Sequence, residues 1–240
     1  MSLIGKTTEE QIWFYLLQKL GNEYGAAGVM GNLYAESALS PKNLQNSYEK
    51  KLKMTDAEYT SAVDNGSYTN FVKDKAGYGL CQWTFWSRKE KLLRKAKERG
   101  VSIGNLELQL DYLFDELETS YKGVLNTLKN ATSVAEASKS FMLGFERPAN
   151  QTSENQKKRA EYGDLYWVKY SGTRKEIDDM AEPNKNVLDN TPNSWAVEAV
   201  EWAKRNKILL GDEKGNLKLH SGCTREDVLV FLERYNKNVK

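Results

Sequence analysis

The segment Tyr24–Ser37, YGAAGVMGNLYAES, has the length of a helix and few of the side chains that usually anchor one. Glycines 25, 28 and 31 recur every third residue, which sets them along one side. Each costs about 1 kcal/mol of helix propensity relative to alanine. A helix that accepts this three times recovers it through close approach of other elements. The segment is therefore expected at the centre of a helical domain, tightly packed. It ends on an acid: Glu36 falls in the last turn, ahead of the Ser40-Pro41 stop. A partly buried helix end is a setting in which a general acid works near neutral pH. A solvated charge is the commoner fate of such a glutamate, so placement alone assigns it no role.

The chain on either side reads as helical to about residue 170. Thr7-Thr8 before Glu10-Gln11 offers a capping box, followed by one apolar face of Ile12, Trp13, Leu16, Leu17 and Leu20. Thr55 to Glu58 is a second box, opening a short helix that Asn65-Gly66 ends. Residues 76–84, AGYGLCQWT, break the helical period with two glycines and then aromatics, the pattern of a turn and a small hairpin. Helices are expected again at about 87–99, 105–118, 121–129, 133–145 and 154–169. Glu146-Arg147-Pro148 reads as a helix end with a structural ion pair. Residues 170–191 are polar and aperiodic, a linker. Order returns over 192–240, with a helix around Trp195–Ala203 and another capped by Thr224. The fold class is mainly α: a helical domain over 1–169 with one small β-hairpin, then a linker, then a small helical module.

Composition narrows the chemistry. The 35 basic and 33 acidic residues are interspersed at a net charge of +2, which gives no footprint for nucleic acid. No apolar run approaches the roughly 20 residues of a membrane span. The start, MSLIGKTTEEQIW, lacks signal-peptide architecture, so the expectation is a protein made in the cytoplasm without a leader. Cys81 and Cys223 form no disulfide framework. The single histidine, His220, argues against zinc sites that need two or more, and a Cys81–His220 pair would have to join residues of two separate modules. No metal or organic cofactor is expected. Acid–base chemistry by carboxylates remains.

A second motif, AGYGLCQWTFWSRK, combines a glycine-rich turn with Gln82, the aromatics Tyr78, Trp83 and Trp86, and Arg88-Lys89. Aromatic faces and an amide suit a sugar ring, whose C–H face stacks while its hydroxyl or N-acetyl groups form hydrogen bonds. Core filling is the plainer role for such aromatics. The stretches GVMGNLYAES, NLQNSYEKKLKMTDAEYT, AGYGLCQWT, SRK and FERPAN together resemble the phage tail lysozyme family of peptidoglycan hydrolases over residues 7 to about 169. The resemblance implies a lysozyme-like fold of two lobes flanking a cleft for the glycan strand. It implies that Glu36 protonates the glycosidic oxygen between N-acetylmuramic acid and N-acetylglucosamine, and that Tyr78, Gln82 and Trp83 line the sugar subsites. It also implies action at the bacterial cell wall, as an endolysin or a virion component.

The second carboxylate stays open. Asp74, three residues before Gly77, is similar in placement to the aspartate of goose-type lysozymes; Glu49 is its rival, and Asp56 and Asp64 read as cap and turn residues. A water-positioning base would stand about 6.5–9.5 Å from the acid and a nucleophile about 5–5.5 Å. With neither, Glu36 alone would suit lytic transglycosylation. Residues 192–240 resemble a single S-layer homology repeat, which implies that Arg225 contacts a secondary cell-wall polymer.

Overall fold

The computed structural model describes residues 3–173, 190–213, 215–220 and 223–239. The chain falls into two compact units, Met1–Ile177 and Asp178–Lys240. Among the described residues, the first holds nine α-helices: α1 Thr8–Leu20, α2 Glu23–Ser37, α3 Asn46–Leu52, α4 Asp56–Asp64, α5 Trp86–Arg99, α6 Leu106–Thr119, α7 Lys122–Asn130, α8 Val134–Phe141 and α9 Ser153–Tyr170. A π-helical turn, Met142–Glu146, extends α8. The capping boxes at Thr7/Glu10 and Thr55/Glu58 both form. Among the described residues, no helix is long and apolar enough to cross a membrane.

Helix α2 is central. It packs chiefly against α9 and α8, and also against α1 and α7. The glycines let those neighbours in. A methyl group on Gly25 would lie 2.1 Å from the Leu128 carbonyl oxygen of α7; on Gly28, 2.6 Å from the Ser138 backbone nitrogen of α8; on Gly31, 2.3 Å from the Arg159 carbonyl oxygen of α9. Backbone at those distances cannot yield as a side-chain tip can, so alanine at any of the three forces helices apart. Asn32, fully buried between them, donates from Nδ2 to the Gly28 and Ser138 carbonyl oxygens and to Ser138 Oγ.

The hairpin expected at 76–84 is absent, and no strand forms among the described residues. Tyr78 instead makes two isolated antiparallel bridges, to Trp83 and to Leu44. The reason is tertiary. Gly79 N–H donates to Asn43 O and Leu80 N–H to Gln109 Oε1, so the donors that would extend a ladder are taken by other segments. Residues 76–81 are buried without a break, which removes the alternation a two-stranded ribbon needs. Helix α3, over NSYEKKL, adds to the expected elements, and the helix expected over 133–145 stops as an α-helix at Phe141 before the π turn.

In the second unit, the short 3-10 turn Ser194–Ala196 leads into α10, Val197–Arg205, and Thr224 caps α11, Arg225–Asn238. The Trp202 and Tyr235 rings meet at 6.3 Å, and Arg234 donates from Nη1 to Ile208 O. Arg225 is exposed. The linker expected over 170–191 lies mostly outside the described residues, though Tyr170 itself ends α9 as a buried residue.

Candidate active site

A cleft of about 930 Å³ opens on the first unit where four stretches converge. The end of α2 contributes Glu36, the loop into α3 and its first turn contribute Asn43 and Gln45 to Tyr48, the turn before α5 contributes Gly77, Cys81, Gln82 and Phe85, and the end of the π turn with the residues after it contributes Glu146 to Ala149. Lys75, Gln82 and Arg147 all line it with positive φ (63, 45 and 51), a conformation uncommon outside glycine. Three such residues around one cleft mark a surface whose backbone is held by the fold around it.

Glu36 reaches the cleft because the end of α2 is fixed from two sides. Ser37 Oγ donates to Leu33 O one turn back and to Leu80 O of the glycine-rich turn, both at 3.0 Å. Ala38 and Leu39 then turn the chain away with φ of 50 and 63. The Glu36 side chain is 18% exposed, and its Oε1 accepts from Arg159 Nη2 at 2.5 Å. Arg159 is buried in α9 and also serves Glu146: its Nη1 donates to Glu146 Oε2 at 2.6 Å and to Asn32 Oδ1 at 3.2 Å. Glu146 sits at the end of the π turn, where the Arg147 N–H bonds back to Met142 O, and its side chain is 2% exposed. The expected ion pair at Glu146 is therefore made with Arg159, and it stands in the cleft wall. Burial, reinforced by the negative charge of Glu36 and opposed by Arg159, holds the Glu146 carboxyl well above the usual carboxylate range.

Asp74 goes elsewhere. Its carboxylate, 3% exposed, accepts from Lys89 Nζ, Tyr59 OH, Tyr68 OH and the Ala76 N–H, and it is not among the residues lining the cleft. Glu49 lies in the first turn of α3, beside the cleft-lining Tyr48 but not itself in the lining. Asp56 accepts from the Leu44 N–H, and Asp64 from Ser102 Oγ and the Ile103 N–H, so both tie loops down.

The aromatics divide the same way. Tyr78 and Trp83 are fully buried: Tyr78 OH pairs with Thr60 Oγ1, and Trp83 Nε1 donates to Glu116 Oε2. Neither ring is open to a sugar. Gln82 does line the cleft, but its Nε2 is spent on Asn43 O, Asn43 Oδ1 and Gly79 O, a clamp across the turn. The open rings are Phe85, 61% exposed, and the half-buried Tyr48. Arg88 lines the cleft as well, held bidentate by Glu116 at 2.7 Å and stacked 4.7 Å above the Phe145 ring. Burial raises the Cys81 thiol, which removes it as a ready nucleophile.

Sequence reasoning misses Glu146, Arg159, Tyr48 and Phe85. Arg159 leaves one signal: with Gly163, Tyr166 and Tyr170 it falls on the buried row of α9, where a cation is out of place unless a carboxylate meets it.

A helical domain whose central helix ends on a carboxyl group in a polar cleft is the class these residues define. Residues 7–170 match the family described as phage tail lysozyme, and the chain belongs to that family. Among curated proteins, morphogenesis protein 1 of Bacillus phage B103 is 26% identical over 157 residues, covering 62% of this chain and 36% of that protein. The match thus spans little more than a third of that relative's length. The family points to peptidoglycan degradation. The family match ends at residue 170, so the resemblance of residues 192–240 to an S-layer homology repeat draws nothing from it.

Proposed function

We propose that the cleft binds a peptidoglycan glycan strand and cleaves the bond between N-acetylmuramic acid and N-acetylglucosamine, with Glu36 as proton donor to the glycosidic oxygen. The observation that carries this reading is the delivery of Glu36 by the end of the central helix to a cleft lined by amides, cations and two open aromatics. Phe85 and Tyr48 take the place of Tyr78 and Trp83 as the sugar-stacking rings, because only exposed faces can meet a pyranose. Gln82 shapes the turn between them.

Hydrolysis and lytic transglycosylation share this first step and differ in the group that then attacks C1. Among the described residues lining the cleft, the carboxylates are Glu36 and Glu146, and both are held on one guanidinium. The second carboxylate of an inverting or retaining hydrolase stands free of the acid to meet water or C1, whereas Glu146 is buried on the cation that holds Glu36. That favours a second reading, in which the muramic acid's own hydroxyl closes an anhydro ring. Mass spectrometry of muropeptides released from purified Gram-positive sacculi tests both. Reducing-end muramic acid, lost with Glu36→Gln, supports the hydrolase; anhydro-muramic acid, lost with the same variant, supports the transglycosylase. No release by the wild type overturns the enzymatic reading and leaves a glycan-binding protein.

The second unit is proposed to bind a secondary cell-wall polymer through Arg225, which stands exposed at the start of α11. An Arg225→Ala variant should lose most of its co-sedimentation with cell walls; co-sedimentation equal to the wild type removes this role.

A further inference from the structure

The two carboxylates of the cleft share one cation. Glu36 and Glu146 each take one terminal nitrogen of Arg159, at 2.5 and 2.6 Å. With both acids ionised the group carries a net negative charge; with one proton aboard it is neutral. Arg159 and Glu146 are withdrawn from solvent, where uncompensated charge is costly. Two further facts point to the same proton. Among the described residues, the buried side-chain polar atoms without a hydrogen-bond partner are Glu146 Oε1 and Arg159 Nε, both in this one cluster. And two carboxyl groups gathered on one guanidinium can bond to each other only when one of them carries hydrogen.

We propose that Glu36 and Glu146 hold a single proton between them against the one positive charge of Arg159, with Glu146 as its buried store and Glu36 as its outlet to the cleft. The proposal rests on the reading of Glu36 as proton donor and adds a positioning residue to it. It supplies a source for the proton that reading requires. The proton passes from Glu146 to Glu36 with no change in the charge of the group. Glu36 then gives it to the glycosidic oxygen as the C1–O bond breaks and the bonding electron pair goes to that oxygen. In hydrolysis, water adds at C1 and the proton it releases recharges the pair; in transglycosylation, the substrate hydroxyl that adds releases it instead.

The surroundings fit a pair that holds one proton and no more. Besides Glu36 from α2 and Arg159 from α9, the Cys81 thiol of the glycine-rich turn stands near Glu146, and burial with the charges of Glu146 and Glu36 keeps it protonated. Arg88 of α5 also lines the cleft, and its guanidinium is committed to Glu116 of α6. Arg147, next in the chain, donates from Nε to Gly144 O.

Two measurements test the pair separately from the enzymatic reading. The first is a ¹³C NMR titration of glutamate carboxyl carbons in the full-length wild type. One carboxyl should stay protonated up to neutral pH. Its signal should vanish in Glu146→Gln, and in Glu36→Gln its midpoint should drop by about one unit or more as the coupled charge is removed. Absence of any such carboxyl, or a midpoint indifferent to Glu36→Gln, overturns the proposal whether or not the protein cleaves walls. The second is the pH profile of wall cleavage. In Glu146→Gln its alkaline limb should move down by about one unit or more, because Arg159 then acts on Glu36 alone. A lowered rate with an unmoved limb would make Glu146 merely structural and overturn the proposal.

Discussion

Asp74 and Glu36 are both acids drawn against a buried cation, and they end in opposite conditions. Asp74 meets Lys89 one to one, and four donors from Lys89, Tyr59, Tyr68 and the Ala76 N–H occupy its two oxygens. Nothing in that cluster asks for another partner. Glu36 shares Arg159 with a second acid, keeps part of its surface in the cleft, and belongs to the cluster that holds both orphaned buried atoms. A closed cluster of this kind holds structure together. An open one, with an acid to spare and a route to solvent, is where a proton can be stored and delivered. Glu116 follows the closed pattern, receiving Arg88, Trp83 and Tyr112 together.

The contrast breaks first at Glu36. Replacing it by Gln keeps size and shape, so thermal unfolding should barely move while wall cleavage falls by about 10²–10⁴-fold, the contribution typical of a positioned acid. At Asp74 the effect should fall on stability instead. Asp74→Ala leaves the Lys89 ammonium buried without its counter-charge, and urea unfolding should report a loss of about 3–5 kcal/mol. Cleavage per folded molecule should stay near the wild-type value. If Asp74→Ala unfolds like the wild type, the closed cluster is not holding the fold. The smallest effect should come from the cleft rim: Phe85→Ala should raise KM for soluble glycan oligomers by about two- to tenfold with kcat preserved, the scale of one aromatic stacking contact. An unchanged KM takes the sugar off that ring.

Much of the scaffold is legible in the sequence because its causes are local. Glycines at a three-residue spacing announce a helix that others approach closely, and the contacts at Gly25, Gly28 and Gly31 bear out that reading. Capping boxes carry their partner three residues away, so Thr7 and Thr55 can be read directly. The turn at 76–84 misleads because its donors bond to Asn43 and Gln109, segments no local pattern connects to it. The site shows the same divide. Glu36 is announced by its own helix. The environment of Asp74 depends on Lys89 and on two tyrosines of the α4 region, and aromatic content alone cannot tell a buried Trp83 from an exposed Phe85. Glu146 stands in plain view in FERPAN but acquires its meaning only from Arg159, brought to it by the packing of α9 on α2.

The most direct test of this division sets Glu36→Gln beside Asp74→Asn on the same sacculi, well below either variant's melting temperature, and counts reducing and anhydro ends released per folded molecule. The account predicts a well-folded Glu36→Gln that releases almost nothing, and a less stable Asp74→Asn that cleaves at close to the wild-type rate. A silent Asp74→Asn beside an active Glu36→Gln would reverse the roles assigned to the two acids and contradict the account.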